Sequence, residues 1–253
     1  MKTIAISNQK GGIGKSTIAV HLAFDLRERG HSVLFIDLDP QANASKTIKL
    51  IEGEMSVLDI QASGLFKEND LDINSDSEPS LQLIEADAKM ADIERAKSEV
   101  LGYFKNNIDH IKGSWDYCII DTPPTLGLRM TAALMTADFV LSPIELEEYS
   151  IDGITKMLQT VFGVKERWNN NLVFLGMLAN RFNPRSLAQK HTLDALLKNY
   201  SNLLIPARIG IRSSIPEALS QGKPVWKLKK SAARVAGAEF KQAFSYIYKQ
   251  IGG

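Results

Sequence analysis

The chain is poor in the features that mark secreted, membrane and metal-cluster proteins. Its 253 residues include one cysteine, Cys118, which excludes a disulfide within the chain. Four scattered histidines and no C-x-x-C pair argue against a zinc or iron–sulfur site within one chain. No apolar run is long enough to span a bilayer, and the first apolar segment begins at residue 3, which leaves no room for a signal peptide. We therefore expect a cytoplasmic protein that does not enter a membrane.

The sequence also lacks a Pro/Gly/Ser-rich linker, an internal repeat and a low-complexity segment. With 44% apolar and 23% charged residues it reads as an ordinary globular chain, and we expect one domain. The net charge is only +1, but it is unevenly distributed. Between Arg181 and Arg234, eleven Lys and Arg residues are opposed by Asp194 and Glu217 alone, so this segment carries +9 and the rest of the chain −8. Such a segment favours a polyanion partner, with an ordinary solvated surface as the alternative.

Residues 10–17, KGGIGKST, are the most informative stretch that is present. They follow a short apolar run at 3–7 and precede a helical pattern that starts at Ile18. A strand, a glycine-rich loop and a helix in this order form a phosphate cradle, because loop amides and the helix N-terminus both attract anions. Lys15 then reaches the β- and γ-phosphates, and the Ser16 hydroxyl is placed to ligate Mg²⁺.

The stretch departs from the ordinary G-x-x-x-x-G-K-[ST] pattern at its start. Position 9 is Gln rather than Gly, and a second lysine, Lys10, stands at the entrance of the loop. Since Lys15 already accounts for the phosphates of its own subunit, two interpretations of Lys10 remain. It is either a solvated loop charge, or it reaches a second nucleotide across a dimer interface and stabilises transition-state charge as an arginine finger does.

Carboxylates follow two further apolar segments. Asp37 and Asp39 come directly after a predicted strand at 32–36, and Asp121 ends a predicted strand that begins near Trp115. Open α/β sheets bind ligands at the carboxyl ends of their strands, and an Asp there holds Mg²⁺ through water. Repeated β-α units predict a mostly parallel sheet with helices on both faces. The other predicted strands are 81–84, 138–143 and 172–179, and the predicted helices are 56–63, 90–112, 126–136, 151–167, 186–199 and 231–250, with an exposed acidic loop at 69–78.

Together these motifs resemble those of the deviant Walker-A ATPases of the P-loop NTPase fold, specifically the ParA partition branch. The resemblance is carried by NQKGGIGKST at 8–17, DLDPQ at 37–41 and IDTPP at 120–124. SPIE at 142–145 with Glu148-Tyr149, Ile205-Pro206, and GKPV at 222–225 extend it nearly to the C-terminus.

The resemblance implies an ATP-hydrolysing sandwich dimer that forms when ATP binds. Lys10 of each subunit is implied to reach the nucleotide of the other, Lys15 to hold the phosphates, and Asp39 to position the attacking water. Implied Mg²⁺ contacts are Ser16, Asp37 and Asp121, and implied nucleotide contacts are Gly11, Gly12, Ile13, Gly14, Lys15, Ser16 and Thr17, with Asn180 and Pro206 facing the adenine.

It also implies partners and a cellular role. ATP-bound dimers of this family coat double-stranded DNA without sequence preference, and a ParB-like, cargo-bound protein stimulates their slow hydrolysis. The expected role is the segregation or positioning of a plasmid, a chromosome or another cargo, with nucleoid association in the ATP-bound form. We expect residues 1–253 to be one ATPase domain without a helix-turn-helix extension. The basic residues that we expect to contact DNA are Arg185, Arg208, Arg212, Lys227, Lys229 and Lys230.

Alternatives remain at this stage. A MinD-like membrane-cycling ATPase shares the nucleotide site and would carry an amphipathic membrane helix at the C-terminus. Apolar residues from Phe240 to Ile251 do recur there at helical spacing, but only Lys241 and Lys249 are basic, which favours packing in the core. A ligase or synthetase on the same fold is not excluded by the phosphate loop, although the basic segment weighs against it. We interpret His21, Cys118 and Trp226 as packing residues.

Overall fold

Eight strands and nine α-helices alternate along the described part of the chain in the computed structural model. It describes residues 1–53, 55–68, 71, 73, 81–147 and 150–253, without the side chains of 150–152. The strands are β1 (Lys2–Ile6), β2 (Val33–Asp37), β3 (Met55–Gln61), β4 (Leu81–Glu85), β5 (Tyr117–Asp121), β6 (Phe139–Ile144), β7 (Val173–Phe182) and β8 (Leu204–Gly210). The helices are α1 (Lys15–Glu28), α2 (Asn43–Ile48), α3 (Met90–Ile93), α4 (Val100–Ile111), α5 (Leu128–Thr136), α6 (Ser150–Trp168), α7 (Leu187–Tyr200), α8 (Ser214–Ser220) and α9 (Ser231–Gln250).

All eight strands form one parallel sheet in the order β3-β4-β2-β5-β1-β6-β7-β8. Side chains alternate between its faces: in β2, Leu34 and Ile36 join a core with α4, α5 and α6, while Val33 and Phe35 join a core with α1, α2 and α9. Because both faces are covered, the central strands are mainly apolar. The predicted parallel sheet with helices on both faces is confirmed.

The strand order places the candidate site. β5 lies between β2 and β1, so the carboxyl ends of these three strands are adjacent. Asp37 and Asp121 pair in register at the ends of β2 and β5, and the glycine-rich loop leaves β1 beside them. Two motifs 84 residues apart in the sequence therefore meet at one edge of the sheet.

Two local predictions are wrong. The segment 56–63 is not helical: it belongs mainly to β3, an edge strand that pairs with β4, and a 3₁₀ turn follows at Ala62–Phe66. The predicted helix 90–112 is interrupted at 94–99 and forms the separate helices α3 and α4. β8, α2 and α8 were not predicted. The predicted acidic loop at 69–78 lies outside the described residues, apart from Leu71 and Ile73.

The C-terminal helix, α9, packs against the sheet with its apolar face in the core. In α9, Phe240, Phe244 and Ile247 are fully buried on the α1 face of the sheet, and Ile251 just beyond it is buried as well. This confirms core packing of these residues. Within the described chain, every helix is too short or too polar to cross a bilayer.

Candidate nucleotide site

The glycine-rich loop has the backbone geometry of a phosphate cradle. Gly12 and Gly14 adopt positive φ angles of 77° and 89°, which non-glycine residues rarely tolerate. A Cβ at Gly14 would lie 2.3 Å from the amide nitrogen of Asn180, which itself donates to the Ile13 carbonyl at 2.7 Å. No side chain caps the N-terminus of α1, so its first amides are available to an anion.

Lys15 lies inside this cradle among carboxylates. It is buried, and its Nζ donates to the Lys10 carbonyl at 3.1 Å. Burial lowers the pKa of Lys15, an effect that the nearby Asp121 and Asp39 oppose. The ammonium is therefore held where an incoming phosphate would meet it, and the neighbouring carboxylates offset part of the cost of burying its charge.

The two strand-end aspartates have different environments. Asp37 is saturated by hydrogen bonds: one oxygen accepts from the Asp39 amide at 3.0 Å, and the other from the Ser45 amide at 2.9 Å and the Ser45 hydroxyl at 2.7 Å. Asp37 therefore fixes the turn that carries Asp39. Burial raises its pKa, and these hydrogen bonds oppose the shift.

Asp121 differs from Asp37 because its buried carboxylate lacks hydrogen-bond partners among the described residues. Both of its carboxylate oxygens are buried and have no hydrogen bond of ordinary geometry among the described residues. Burial raises the pKa of Asp121 well above its usual range and Asp37 adds to this, while the nearby Ser16 hydroxyl and Lys15 act in the opposite direction. A buried carboxyl without partners is costly unless a ligand satisfies it.

These residues fit a hydrated Mg²⁺ ion. Mg²⁺ keeps several waters and is held by one or two carboxylates together with substrate phosphates, so an all-protein cage is not required. Among the described residues no cluster of three metal-ligating side chains exists. The half-buried Ser16 and the unpartnered Asp121 provide the hydroxyl and carboxylate that such a site needs, whereas both oxygens of Asp37 are already engaged.

A cavity of about 320 Å³ lies beside the loop and is the candidate site for a nucleotide base, so we refer to it as the base cavity. Its lining on one side is Gly12, Gly14, Thr17, Asn180 and Arg181, and on the other side it is the end of β8 and the residues that follow, namely 210–213, 215 and 216. Pro206 is not part of it. That residue lies within β8 and lines a separate cavity between α7, β8 and α9, and the proline beside Asn180 is Pro216. The sequence contains two Ile-Pro pairs, and the structure places the second, Ile215-Pro216, at this cavity.

The entrance lysine is paired within its own subunit. Lys10 is half exposed, and its Nζ lies 3.4 Å from a carboxylate oxygen of Glu145, in the loop after β6. Arg181 contacts the other oxygen of Glu145 at 3.0 Å through Nε. Sequence reasoning did not identify Glu145 as a partner of Lys10, since the two are separated by more than a hundred residues and only the β1–β6 pairing joins them.

The predicted DNA contacts fall into two settings. Arg185, Arg208 and Lys229 are exposed, and Lys227 and Lys230 form surface ion pairs with Glu28 and Glu217. Arg212 differs from them: Glu239 binds its guanidinium at two nitrogens, at 2.8 and 3.0 Å, and also accepts the Gly210 amide at 2.9 Å. Arg212 thus lines the base cavity while Glu239 holds its guanidinium, and its predicted contact with DNA stays a prediction.

Comparisons with known proteins identify the family. A family model described as an AAA domain matches residues 1–174. Protein IncC of Escherichia coli is 42% identical over 99% of this chain and 70% of its own length. A plasmid partition protein of Borrelia burgdorferi has the same fold, with a TM-score of 0.74, 24% identity and 98% of each chain covered. The chain belongs to the ParA/MinD-type partition ATPase family.

A nucleotide-bound member of this fold provides a further comparison for the ParA-family chain. The ATP complex of a Cyanothece McdA variant matches 98% of this chain and 96% of its own, with a TM-score of 0.82 and 24% identity. At 24% identity this likeness concerns the fold alone.

Proposed function

We propose that this protein is an ATPase that dimerises when it binds ATP, coats double-stranded DNA without sequence preference, and segregates or positions a cargo with a ParB-like partner. The observation that carries the proposal is the loop of Lys10 and Lys15 next to the buried, unpartnered Asp121. We further propose that residues 1–253 act as one ATPase domain in the cytoplasm, without a membrane and on the nucleoid when ATP is bound.

The residues would divide the chemistry as follows. Lys15, Ser16 and the amides of Gly11–Thr17 bind the phosphates, Asp121 holds the hydrated Mg²⁺, and Asp39 orients the attacking water. Bound Mg²⁺ supplies charge neutralisation at the β- and γ-phosphates. Asn180 and Pro216 face the adenine. Since phosphoryl transfer to water needs mainly positioning and charge stabilisation, these groups account for a slow basal reaction.

Lys10 would complete the site only in the dimer. It stands at the half-exposed rim of the loop, away from the buried Lys15, so its ammonium is free to extend toward a second subunit once it leaves Glu145. Hydrolysis would then remove the γ-phosphate that joins the two halves, and the dimer would act as a timer. A partner that stimulates this step would set the lifetime of the DNA-bound state.

Retention on nonspecific duplex DNA tests the proposal directly. We expect binding with ATP but not with ADP or without nucleotide, and an affinity that falls steeply with salt, because each phosphate contact contributes about −0.9 to the log–log slope. Lys10→Ala should retain nucleotide binding by the monomer and lose partner-stimulated hydrolysis. An absence of DNA binding in every nucleotide state would contradict the proposal, and stimulated hydrolysis by Lys10→Ala at the wild-type rate would contradict the role of Lys10 in trans.

A further inference from the structure

The entrance of the glycine-rich loop is fastened to β6 and α6 by three consecutive side chains. Asn8 Nδ2 donates to the Pro143 carbonyl at 2.8 Å, and Gln9 Nε2 donates to the Thr160 hydroxyl at 2.6 Å. Lys10 completes the series through its ion pair with Glu145. Two of these contacts are neutral hydrogen bonds that fix the backbone, whereas the third holds the one cation that has to move in the proposed dimer.

Glu145 holds a second cation at the same time. Arg181 Nε lies 3.0 Å from its Oε1, and Arg181 Nη1 lies 3.4 Å from the Gly12 carbonyl inside the loop. Arg181 adopts a positive φ of 55°, a strained conformation for a residue with a side chain. Only 14% of the Glu145 side chain is exposed, so its charge is screened less by water than the charges of Lys10 and Arg181, which are half exposed.

We propose that Glu145 is a positioning residue for Lys10. It holds the lysine ammonium against its own subunit before the dimer forms, and it restrains hydrolysis until Lys10 is released toward the nucleotide of the partner. This inference rests on the proposed role of Lys10 in trans. Removal of the Glu145 charge frees Lys10 without touching Lys15 or Asp121, so the effect belongs to the dimer-dependent step and not to phosphate binding by the monomer.

The size of the effect follows from the exposure of the pair. Ion pairs with a solvent-exposed partner contribute about 0.2–1 kcal/mol, which corresponds to a change of up to about fivefold in an equilibrium or a rate. We therefore expect Glu145→Gln to raise the basal turnover of ATP about two- to fivefold. Loss of a negative charge near the phosphates also strengthens nucleotide binding in a general way, and a control must separate the two effects.

Glu147→Gln is the matched control. Glu147 is exposed and lines the same cavity as Glu145, and no described cation lies within ion-pair distance of it. The experiment measures kcat, KM and nucleotide affinity for wild type, for both glutamine variants, for Lys10→Ala and for Lys10→Ala/Glu145→Gln. We expect the rise in kcat in Glu145→Gln alone, a similar small fall in KM in both glutamine variants, and a double variant that is no faster than Lys10→Ala.

Two outcomes would overturn the inference. One is a Glu145→Gln variant whose kcat equals that of Glu147→Gln, and the other is a Glu145→Gln acceleration that persists unchanged without Lys10. The wild-type protein separates these failures from failure of the proposed function, because its own ATP-dependent dimerisation and stimulated hydrolysis are recorded in the same series. Unfolding temperatures of the five proteins show whether each variant is folded.

Discussion

At the scale of single residues, the buried position of Asp121 lowers the stability of the folded chain but leaves its carboxylate available to a ligand. A buried carboxyl without hydrogen bonds destabilises the folded chain, and no described group donates to either of its oxygens in ordinary geometry. Such a position is retained where function requires it. The neighbouring Asp37 shows the contrast, since three donors satisfy it and it supports the turn before Asp39.

Asp121→Asn should therefore stabilise the nucleotide-free protein while it weakens the effect of Mg²⁺ and ATP. We expect the free energy of unfolding to rise by about 1–3 kcal/mol near neutral pH, since wild type must either bury a charge or take up a proton at this position and the variant does neither. Unfolding followed in denaturant, with and without Mg²⁺ and ATP, measures both effects. The idea fails if Asp121→Asn is less stable than wild type without nucleotide, or if it gains as much stability as wild type from Mg²⁺ and ATP.

The pH dependence provides an internal check on this variant. In the unfolded chain an aspartate ionises near pH 4, whereas folding raises the pKa of Asp121, so the folded state binds the additional proton between these values. The free energy of unfolding of wild type then falls as pH rises through this interval. The advantage of Asp121→Asn should accordingly grow with rising pH and vanish in acid.

The sequence was sufficient for residues whose role is local and insufficient for residues that act through tertiary contacts. The positions of Lys15, Gly12 and Gly14 in a phosphate-binding loop were predicted from the local order of strand, loop and helix.

Packing was also the correct interpretation of His21. Its ring is fully buried between two backbone contacts, because Nδ1 donates to the Thr17 carbonyl and Nε2 accepts the Val225 amide. Burial lowers the pKa of His21 to about 4, so this neutral tautomer persists at physiological pH. The pairing of Glu145 with Lys10 has no local signature.

At the scale of elements, the predicted helix 90–112 is interrupted beside a partly buried ion pair. Glu94 turns away after α3, accepts the Leu128 amide at the start of α5 at 2.7 Å, and binds Arg129 Nε at 2.7 Å. Gly127 makes this possible, because a Cβ there would lie 1.8 Å from a Glu94 oxygen. Apolar residues of α3 and α4 pack in the same core, which explains the amphipathic pattern over 90–112, but the pattern does not predict the break between the two helices.

Arg129→Met should destabilise the protein by leaving Glu94 partly buried without its cation. Arg129 is almost fully buried and Glu94 is a quarter exposed, so we expect a loss of about 1–3 kcal/mol, below the value for a fully buried pair. Lys105→Met, which breaks the exposed Lys105–Asp109 pair in α4, is the control and should cost less than about 1 kcal/mol. Equal losses in denaturant unfolding would show that the buried pair has no special role.

Arg129 also connects its ion pair with Glu94 to the candidate site. Its Nη1 lies 3.4 Å from the carbonyl of Leu38, between the two aspartates of the β2 turn, and the Leu38 amide donates to the Asp121 carbonyl at 3.0 Å. The start of α5 and the turn that carries Asp39 are therefore tied together. If hydrolysis depends on this tie, Arg129→Met lowers kcat more than nucleotide affinity, a split that general destabilisation does not produce.

The edge strands were the hardest elements to predict. In β3, apolar residues at 55, 57, 58 and 60 fit a helical period as well as an alternating one, and pairing with β4 decides between them. β8 contains Pro206, which argues against a central strand but is allowed at an edge, where one side of the backbone needs no partner. The central strands β1, β2 and β5 were evident because both of their faces are apolar.

At the scale of the whole molecule, the sheet separates opposite charges. Segment 181–234, with its net charge of +9, contains β8 at one edge. The described residues of 52–99, with eight acidic and four basic side chains, contain β3 and β4 at the other. A near-neutral protein thus has a strong charge asymmetry that favours one orientation on a polyanion. The basic edge adjoins the base cavity through the segment that follows β8, so the proposed DNA-binding surface would lie beside the proposed nucleotide site.

This arrangement separates the basic residues into two experimental classes. Lys229 is exposed, and no described acid pairs with it, so Lys229→Ala should weaken DNA binding and reduce the magnitude of the salt slope by about 0.9 for each subunit that contacts DNA. Arg212 is held by Glu239 beside the base cavity, so Arg212→Ala should leave the slope unchanged while it weakens nucleotide binding and lowers stability.

Salt titrations of DNA affinity in the presence of ATP, together with nucleotide affinity for the monomer, distinguish these classes. Because the proposed DNA retention requires the ATP-bound dimer, Arg212→Ala is compared at saturating ATP, where weaker nucleotide binding no longer limits the result. A reduced slope in Arg212→Ala under that condition would place its guanidinium on DNA and would contradict the structural role that its contacts with Glu239 define. An unchanged slope in Lys229→Ala would remove this lysine from the DNA surface and shift the contacts toward Arg185 and Arg208.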